Sequence, residues 1–385
     1  MYKVLTLNKI SKFGLNELPT DLYSVSDNET NPDAILLRSF KMHDMELPDS
    51  LMAVARCGAG VNNIPLEKCA EKGIVVFNTP GANANAVKEL VLTALLISSR
   101  KIIDSYNWTQ ALTENVSANV EKGKSQFQGP EIKGKTLGVV GLGAIGALSA
   151  NAAASLGMKV IGYDPYLSVK GALHLRTDVK YTKNLDEIFK ECDYITVHVP
   201  LTDDTKEMFR KENFDKVKKG VRIINLARGE LVNNQDMKEA IKNGIVSCYV
   251  TDFPNEELLG TENIITLPHL GASTPEAEDN CAVMAAEELR EYMEYGNIVN
   301  SVNYPNCSLS YTGKKRLSVL HKNEPNVVAS ITSALGKDGI NIDNMVNKSR
   351  NEYSCTIVDI DSDFNDNIIS ALKQVSGVIK LRVIG

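Results

Sequence analysis

The sequence predicts an α/β chain with two doubly wound parallel-sheet domains, followed by a small ferredoxin-like βαββαβ domain. Short apolar segments alternate with helical stretches from residue 1 to about residue 97, and again over residues 135–285. This alternation is typical of parallel βα units. A glycine-rich turn joins strand to helix at the start of the second stretch, and the element order changes after residue 310. Three domains fit a chain of 385 residues.

The first stretch predicts buried strands that carry no motif of their own. Its apolar segments are Ala34–Leu37, Met52–Ala55 and Ile74–Phe77, and an apolar helix over about Asn85–Arg100 closes it. The polar, glycine-containing stretch Glu121–Gly134 then predicts a connector.

The second stretch opens with a phosphate-binding turn. The short apolar strand Lys135–Val140 leads directly into Gly141-Leu-Gly143-Ala-Ile-Gly146 and an alanine-rich helix. In this setting Gly141 permits a tight turn, Gly143 lets the backbone approach a pyrophosphate, and Gly146 lets the helix pack close to the strand. The pyrophosphate then lies at the helix N-terminus, where free N–H groups favour an anion. A glycine-rich turn without a ligand is the alternative, and the strand and helix in register argue against it.

The acid at the end of the next strand predicts the cofactor. The strand Lys159–Tyr163 is followed by Asp164, which lies 18 residues beyond Gly146. An acid at this place binds the adenine ribose hydroxyls and would repel a 2′-phosphate. The sequence therefore predicts NAD in preference to NADP.

Four more strands continue this sheet, and residues suited to catalysis follow them. The predicted strands are Tyr194–Val199, Val221–Leu226, Val246–Thr251 and Asn263–Leu267. Ligands of doubly wound sheets bind at the carboxyl ends of the strands. The polar residues at or just after these ends are His198, Arg228, Asp252 and His269.

Arg228, an acid and His269 are the groups that oxidation of a 2-hydroxy acid needs. The arginine fork can clamp the substrate carboxylate, and the histidine can take the hydroxyl proton. A carboxylate would stabilise the imidazolium that forms, and Asp252, Glu256 and Glu257 lie between the two residues. A single loop histidine is more often packed than catalytic. The order arginine, acid, histidine after a dinucleotide turn favours catalysis.

Composition excludes several function classes. The net charge is −6 and lysines are scattered among acids, so the sequence predicts no nucleic-acid partner. No apolar run approaches the roughly 18 residues that would span a bilayer. The seven cysteines lack CxxC spacing, which indicates reduced thiols and neither a zinc site nor disulfides. We therefore expect a cytoplasmic enzyme that acts on a small molecule, without a metal or a membrane.

Residues 1–305 resemble the D-isomer-specific 2-hydroxyacid dehydrogenases. The matching stretches are Arg38-Ser39, Arg56–Ile64, Asn78–Pro80, Gly141–Gly146, Tyr163–Pro165, His198–Pro200, Asn225–Gly229 and Pro268–Thr274. The resemblance implies a discontinuous substrate-binding domain (residues 1–97 and 286–310) and an NAD-binding Rossmann domain (residues 98–285). Strands left at a sheet edge in the C-terminal residues invite pairing with a second chain, so we expect a homo-oligomer, either a dimer or a tetramer.

Carried over residue by residue, the resemblance assigns the catalytic groups. Arg228 binds the substrate carboxylate and carbonyl, and His269 performs acid–base catalysis. Two candidates remain for the acid that orients the histidine. Counting from the preceding glycine and aspartate selects Glu257, whereas aligning on Phe-Pro-x-Glu selects Glu256. We favour Glu257, although Leu258 stands where family members usually carry proline.

The resemblance also implies binding residues. The Gly58, Ala59 and Gly60 backbone resembles a turn that donates N–H groups to the substrate carboxylate. Arg38 resembles a phosphate contact, although a single arginine at a strand end is more often part of a surface ion pair. Phe40 stands where many members carry a second basic residue. The implied NAD contacts are Thr79, Gly141, Gly143, Ala144, Ile145, Gly146, Asp164, Val199, Leu226, Ala227, Asp252 and Gly271.

The C-terminal residues 311–385 predict a third domain. Its elements are strand Lys315–Leu320, helix Pro325–Lys337, a strand from Ile340, strand Ser354–Asp359, helix Asn365–Val375 and strand Val378–Val383. This βαββαβ order is ferredoxin-like and resembles an ACT domain, in which His321, Asn323 and Asn341 match positions that bind serine between two copies. Asn326 replaces the family's turn glycine, and asparagine tolerates the left-handed conformation. A dimerisation domain without a ligand is the alternative.

Together these resemblances imply NAD-dependent oxidation of 3-phospho-D-glycerate to 3-phosphohydroxypyruvate, the first step of L-serine biosynthesis, with L-serine as effector. A dehydrogenase for glyoxylate, D-lactate or 2-hydroxyisocaproate is one alternative. The ACT-like tail argues against it, because amino-acid feedback suits a committed biosynthetic step. A non-catalytic NAD-sensing regulator is the other alternative, and the retention of Arg228, a carboxylate and His269 argues against that.

Overall fold

The computed structural model describes residues 1–363 and 366–385. The chain forms two compact units. The first unit comprises Met1–Asn83 and Glu278–Gly385, and the second comprises Ala84–Ala277. In the described part of the chain, no helix is long and apolar enough to cross a membrane.

The first unit begins with a five-stranded parallel sheet in the order β2-β1-β3-β4-β5, which is the order of flavodoxin-like folds. Strand β3 is buried at every position because a parallel sheet is covered on both faces. The elements are β1 (Tyr2–Leu7), α1 (Lys12–Leu15), β2 (Tyr23–Ser26), β3 (Ala34–Leu37), β4 (Ala53–Arg56), α2 (Leu66–Glu71) and β5 (Val75–Asn78).

The second unit contains a seven-stranded parallel sheet in the order β12-β11-β10-β9-β6-β7-β8. Its direction of winding reverses between β6 and β9, which is where doubly wound sheets bind ligands. The predicted α/β class is confirmed. The elements are α3 (Ala84–Ser99), α4 (Ile102–Gln110), α5 (Val116–Gly123), β6 (Thr136–Val140), α6 (Ala144–Ser155), β7 (Lys159–Tyr163), α7 (Val169–Leu173), β8 (Lys180–Thr182), α8 (Leu185–Glu191), β9 (Tyr194–Val197), α9 (Lys211–Phe214), β10 (Val221–Asn225), α10 (Asn234–Lys242), β11 (Val246–Thr251) and β12 (Ile264–Thr266).

Two details differ from the sequence-based expectations. Helix α3 was expected in the first domain, but Val91 and Leu95 are fully buried in one apolar core with Leu137 of β6. The helix therefore belongs to the second unit. The expected connector from residue 121 contains the end of α5 and a 3₁₀ turn. The three-domain division stays a prediction.

The C-terminal region forms a four-stranded antiparallel sheet in the order β14-β15-β13-β16, as the ferredoxin-like prediction expects. Asn326 adopts a φ of 70°, so the expected left-handed asparagine turn is confirmed. The start of the last helix, expected at Asn365, lies outside the described residues. The elements are α11 (Pro275–Tyr295), β13 (Lys315–Lys322), α12 (Val327–Lys337), β14 (Ile342–Arg350), β15 (Tyr353–Ile360), α13 (Asp366–Lys373) and β16 (Val378–Ile384).

Both faces of this antiparallel sheet are covered. On one face, side chains such as Leu317 pack against the helices α12 and α13. On the other face, Leu320 and Cys355 share a core with Phe77 of β5 and Tyr292 of α11. As a result every residue of β15 is buried, and the C-terminal sheet is packed into the first unit.

Candidate active site

The turn between β6 and α6 has the space and the donors that a pyrophosphate needs. Gly141 has a φ of 93°, and a Cβ on Gly146 would lie 1.8 Å from the Gly141 carbonyl oxygen. A Cβ on Gly143 would meet nothing within 4 Å. No side chain caps α6, so Ala144 and Ile145 begin a helix whose first N–H groups can receive an anion. The turn fits a dinucleotide.

Asp164 is held rigidly at the end of β7. Its two carboxylate oxygens accept hydrogen bonds from the Leu142 and Tyr166 backbone N–H groups, each at 2.9 Å. Each carboxylate oxygen can accept more than one hydrogen bond. Asp164 therefore retains acceptor capacity for ribose hydroxyls, as the NAD prediction requires.

Arg228 follows β10 in a turn that buried Asn225 organises. The Asn225 Oδ1 accepts from the backbone N–H groups of Ala227 and Arg228 at 3.1 and 3.3 Å, and its Nδ2 donates to the Arg228 carbonyl at 2.7 Å. The arginine itself is exposed. Its one described side-chain hydrogen bond goes to the Ala227 carbonyl at 2.6 Å. Asn225 thus positions the arginine, a role that the sequence reasoning did not assign to this motif residue.

Buried Asp252 connects β11 to the loop that carries His269. Its Oδ2 accepts from the Gly271 N–H at 3.0 Å, and its carbonyl accepts from the His269 N–H at 2.9 Å. Burial raises the pKa of this carboxyl, and the Gly271 N–H opposes that rise. Its Oδ1 is buried without a partner among the described residues. An amide donor such as the carboxamide of a nicotinamide would satisfy this oxygen.

The structure holds the His269 backbone on the Asp252 carbonyl, at 2.9 Å. His269 is exposed, and its ring lies over Phe253 with centroids 4.8 Å apart. Glu257 accepts a hydrogen bond from the Asn234 Nδ2 at 3.0 Å. Among the residues described, neither Glu256 nor Glu257 forms a hydrogen bond or ion pair with His269. The choice of orienting acid stays a prediction.

The remaining implied NAD contacts lie at other strand ends. In the second unit, Val199 follows β9, and Leu226 with Ala227 follows β10. In the first unit, Thr79 follows β5, is fully buried, and donates its N–H to the Gly58 carbonyl at 3.2 Å. His198 holds the Thr196 hydroxyl at 3.0 Å, which is a packing role.

The predicted substrate turn in the first unit keeps free donors. Gly58 has a φ of 151°, and a Cβ there would lie 2.4 Å from the Arg56 guanidinium. Within the described chain, the backbone N–H groups of Ala59 and Gly60 donate no hydrogen bond. Two free N–H groups suit a carboxylate.

Arg38 lies in the ion pair that its alternative interpretation expected. Its Nη2 is 2.8 Å from the Glu278 Oε1, and both side chains are about 40% exposed. An exposed pair of this kind contributes about 0.2–1 kcal/mol. A substrate phosphate could therefore displace Glu278 from Arg38.

The predicted effector residues differ in their exposure to solvent. His321 is buried, and its ring nitrogens contact the Lys322 carbonyl at 2.7 Å and the Thr356 hydroxyl at 2.8 Å. Asn323 is exposed and donates to the Asn351 carbonyl at 2.9 Å, and Asn341 is exposed. The asparagines are accessible, whereas both histidine nitrogens already have partners.

No cluster suited to a metal ion occurs among the described residues. All seven cysteines are free and buried.

Comparison with known proteins places these observations in a family context. Residues 92–271 match the family model of the D-isomer specific 2-hydroxyacid dehydrogenase, NAD binding domain. The D-3-phosphoglycerate dehydrogenase of Haemophilus influenzae is 30% identical over 355 residues, which cover 88% of this chain and 83% of that protein. The enzyme of the same name from Methanocaldococcus jannaschii is 35% identical over 279 residues, covering 70% of this chain and 51% of that protein. This chain thus spans about half the length of the M. jannaschii relative.

A solved structure shares the fold. The crystal structure of NAD+-bound 3-phosphoglycerate dehydrogenase from Entamoeba histolytica matches with a TM-score of 0.61 and 25% identity, over 78% of this chain and 98% of that one. The match agrees with the α/β class and with an NAD-binding domain over residues 92–271.

Proposed function

The chain belongs to the D-isomer specific 2-hydroxyacid dehydrogenase family, and from that premise we propose that it oxidises 3-phospho-D-glycerate at C2. The product is 3-phosphohydroxypyruvate, NAD accepts the hydride, and the reaction is the first step of L-serine biosynthesis. The observation that carries the proposal is the grouping of Arg228, Asp252 and His269 at the strand ends of a sheet with an open glycine turn.

Each protein group has a distinct task in this reaction. Arg228 has guanidinium donors left to hold the substrate carboxylate in a bidentate contact. His269 takes the proton of the C2 hydroxyl as the C2 hydrogen leaves as hydride. The nicotinamide supplies the hydride acceptor when it is bound. Asp252 anchors both the histidine backbone and Gly271, so the base stays in place.

Glu257 has one described side-chain hydrogen bond, to Asn234 through Oε2, and this bond does not prevent it from orienting His269. Its hydrogen bond to Asn234 is exposed, so the net cost of breaking it is about 1 kcal/mol or less. A carboxylate beside the imidazolium would recover that cost, because an opposite charge favours the protonated ring. Glu256 remains the alternative acid.

Initial rates with NAD test the activity. We expect 3-phosphoglycerate to be oxidised faster than D-lactate, glycolate or 2-hydroxyisocaproate at equal concentration. Faster oxidation of D-lactate would contradict the proposed substrate. An inactive protein that still binds NAD would favour the regulator alternative.

Substitution of the base tests the mechanism. His269→Ala should lower kcat by about 10²–10⁴ and leave NAD affinity unchanged, because it removes proton transfer only. Glu257→Gln should shift the acid limb of the pH–rate profile, with Glu256→Gln as the matched control. A shift in the control alone would reverse the choice of acid.

The substrate phosphate is assigned to Arg38. Arg38→Gln should raise KM for 3-phosphoglycerate, because it removes the cation assigned to the phosphate. It should leave KM for D-glycerate unchanged, because D-glycerate has no phosphate. The only described ion pair of Arg38, with Glu278, is exposed. An equal change for both substrates would place the phosphate elsewhere.

We also propose a homo-oligomer, either a dimer or a tetramer, located in the cytoplasm. Helix α4 buries none of its residues, and Ile102 and Tyr106 are 51% and 62% exposed. An apolar surface of this kind is typical of a subunit interface. Light scattering on the purified chain would measure its mass, and a monomer at micromolar concentration would contradict this proposal.

L-serine is the proposed effector, at a site that includes His321, Asn323 and Asn341. Asparagine amides provide both donors and acceptors for an amino acid. We expect serine to lower the initial rate and Asn341→Ala to weaken that response. An unchanged rate at millimolar serine would leave this domain with an assembly role.

A further inference from the structure

A polar groove in the first unit has no role in the proposed reaction. It has a volume of about 510 Å³ and lies between the end of β5 and the edge strand β14. The residues that matter for its chemistry are Asn78, Asn300, Asn306, Lys348 and Arg350. The volume is in the range of small-molecule sites, about 300–1,000 Å³.

Two cations enter this groove from one strand. Lys348 and Arg350 alternate along β14, so their side chains share a face of the sheet. Within the part of the chain that the structure describes, the Lys348 ammonium forms no hydrogen bond or ion pair, and the Arg350 guanidinium donates only to the Ser301 carbonyl, at 2.8 Å. No carboxylate lines the groove. The site therefore carries two positive charges without a counter-charge.

Neutral donors complete the site. Asn78 uses its Nδ2 to donate to the Ala59 carbonyl at 2.6 Å, and Asn300 donates from its Nδ2 to Glu288 at 2.6 Å. Each amide nitrogen carries a second N–H. Asn306 is exposed and makes no hydrogen bond with any described residue.

We propose that this groove binds a small phosphorylated anion. A phosphate monoester carries about −1.5 to −2 charges at pH 7 and three acceptor oxygens, which matches two cations and several amide donors. A monocarboxylate would leave one cation unpaired. Arg350 also keeps N–H donors beyond the one used by Ser301, and a guanidinium binds phosphate oxygens in pairs.

Binding in the groove should affect the nearby substrate turn, and this step rests on the proposed function. Asn78 donates to Ala59 of the substrate turn, and its backbone N–H donates to the Asn300 carbonyl at 3.4 Å. A ligand that held Asn78 and Asn300 would stabilise one conformation of the turn. Occupancy should therefore change KM for the carboxylate substrate more than kcat.

Calorimetric titration of the full-length chain tests the binding site without reference to activity. The probes are inorganic phosphate, glycerol 3-phosphate and, as a carboxylate control, malonate. We expect Lys348→Gln and Arg350→Gln each to weaken phosphate binding at this site about tenfold or more, because a charge-assisted hydrogen bond contributes about 1.5–3 kcal/mol. Lys337→Gln, an exposed lysine of the same region outside the groove, should match the parent.

Each result of the titration either supports or overturns the proposed phosphate site. Loss of one phosphate site in both groove variants, but not in the parent or in Lys337→Gln, supports the proposal. Glycerol 3-phosphate binding more tightly than phosphate would identify a phosphorylated metabolite as the ligand. Equal phosphate isotherms for the parent and Lys348→Gln, or stronger binding of malonate, would overturn it. Lys348→Gln removes no described contact, so misfolding does not obscure its result, and thermal melts would verify that.

Discussion

Replacing either Gly143 or Gly146 by alanine should damage cofactor binding for two different physical reasons. The Gly143 backbone has a φ of −66°, which alanine adopts easily, and its Cβ would meet nothing within 4 Å. The Cβ of Gly146→Ala would lie 1.8 Å from the Gly141 carbonyl oxygen. One substitution occupies space that a ligand needs, and the other forces the backbone apart.

The two magnitudes follow from these distances. Gly143→Ala should leave the free energy of unfolding unchanged or raise it by about 0.4–1 kcal/mol, because alanine restricts the unfolded chain. Its methyl group should weaken NAD binding about tenfold or more, equivalent to about 1.4 kcal/mol. For Gly146→Ala, backbone atoms must move by more than an ångström, so the loss of stability should reach about 3 kcal/mol, the upper part of the range for overpacking.

Urea unfolding measures the stability of each variant, and fluorescence titration measures NAD affinity. A Gly143→Ala protein that binds NAD like the parent would refute the argument, because the pyrophosphate would then not approach this backbone. A Gly146→Ala protein with parental stability would show that the turn relaxes without cost.

Three other substitutions test single side chains. Asp164→Ala should reduce the preference for NAD over NADP, measured as the ratio of kcat/KM values, because it removes the carboxylate that repels the 2′-phosphate. Burial raises the pKa of Glu288 to about 8; the unfolded carboxyl ionises near 4.5, so the free energy of unfolding should fall between these pH values. Glu288→Gln should remove that fall, as urea unfolding at pH 5 and pH 8 would show. Asp359→Asn should lower the free energy of unfolding, measured by urea unfolding, by about 3 kcal/mol, because it leaves the fully buried Arg316 without its counter-charge.

Local pattern was sufficient to predict most of the fold. Strands such as Ala34–Leu37 and Val246–Thr251 have the predicted bounds, because a short apolar run between two turns has few alternative structures to a buried strand. The glycine turn was predictable for a related reason: the requirement for Gly141 and Gly146 arises within six residues of chain. Helices α4 and α5 were not predicted, because neither buries any of its residues and so neither shows the pattern of a helix packed on a core.

The site was predictable as a set of residues but not as a set of contacts. Arg228 and His269 follow strand ends, and strand ends can be read from the sequence. Arg38 contacts Glu278 and Glu257 contacts Asn234. Each pair joins residues that lie apart in the sequence. From the sequence alone, each side chain is equally suited to pair with several other charged groups or amides. The orienting acid therefore stays open in both the sequence and the structure.

The attachment of the C-terminal sheet also depends on contacts that the sequence does not reveal. The last carbonyls of a helix lack intrahelical partners. In α11, Arg382 donates to the carbonyls of Tyr292 and Met293 at 2.7 and 2.6 Å, and Arg316 donates to that of Tyr295 at 3.0 Å. Positive charge at a helix C-terminus is also stabilising. Removal of residues 311–385 would therefore expose an apolar core and remove these arginine contacts from the end of α11, so a loss of serine response in such a truncation would report unfolding as readily as regulation. Point substitutions such as Asn341→Ala keep these contacts, and they are the tests that can separate the two.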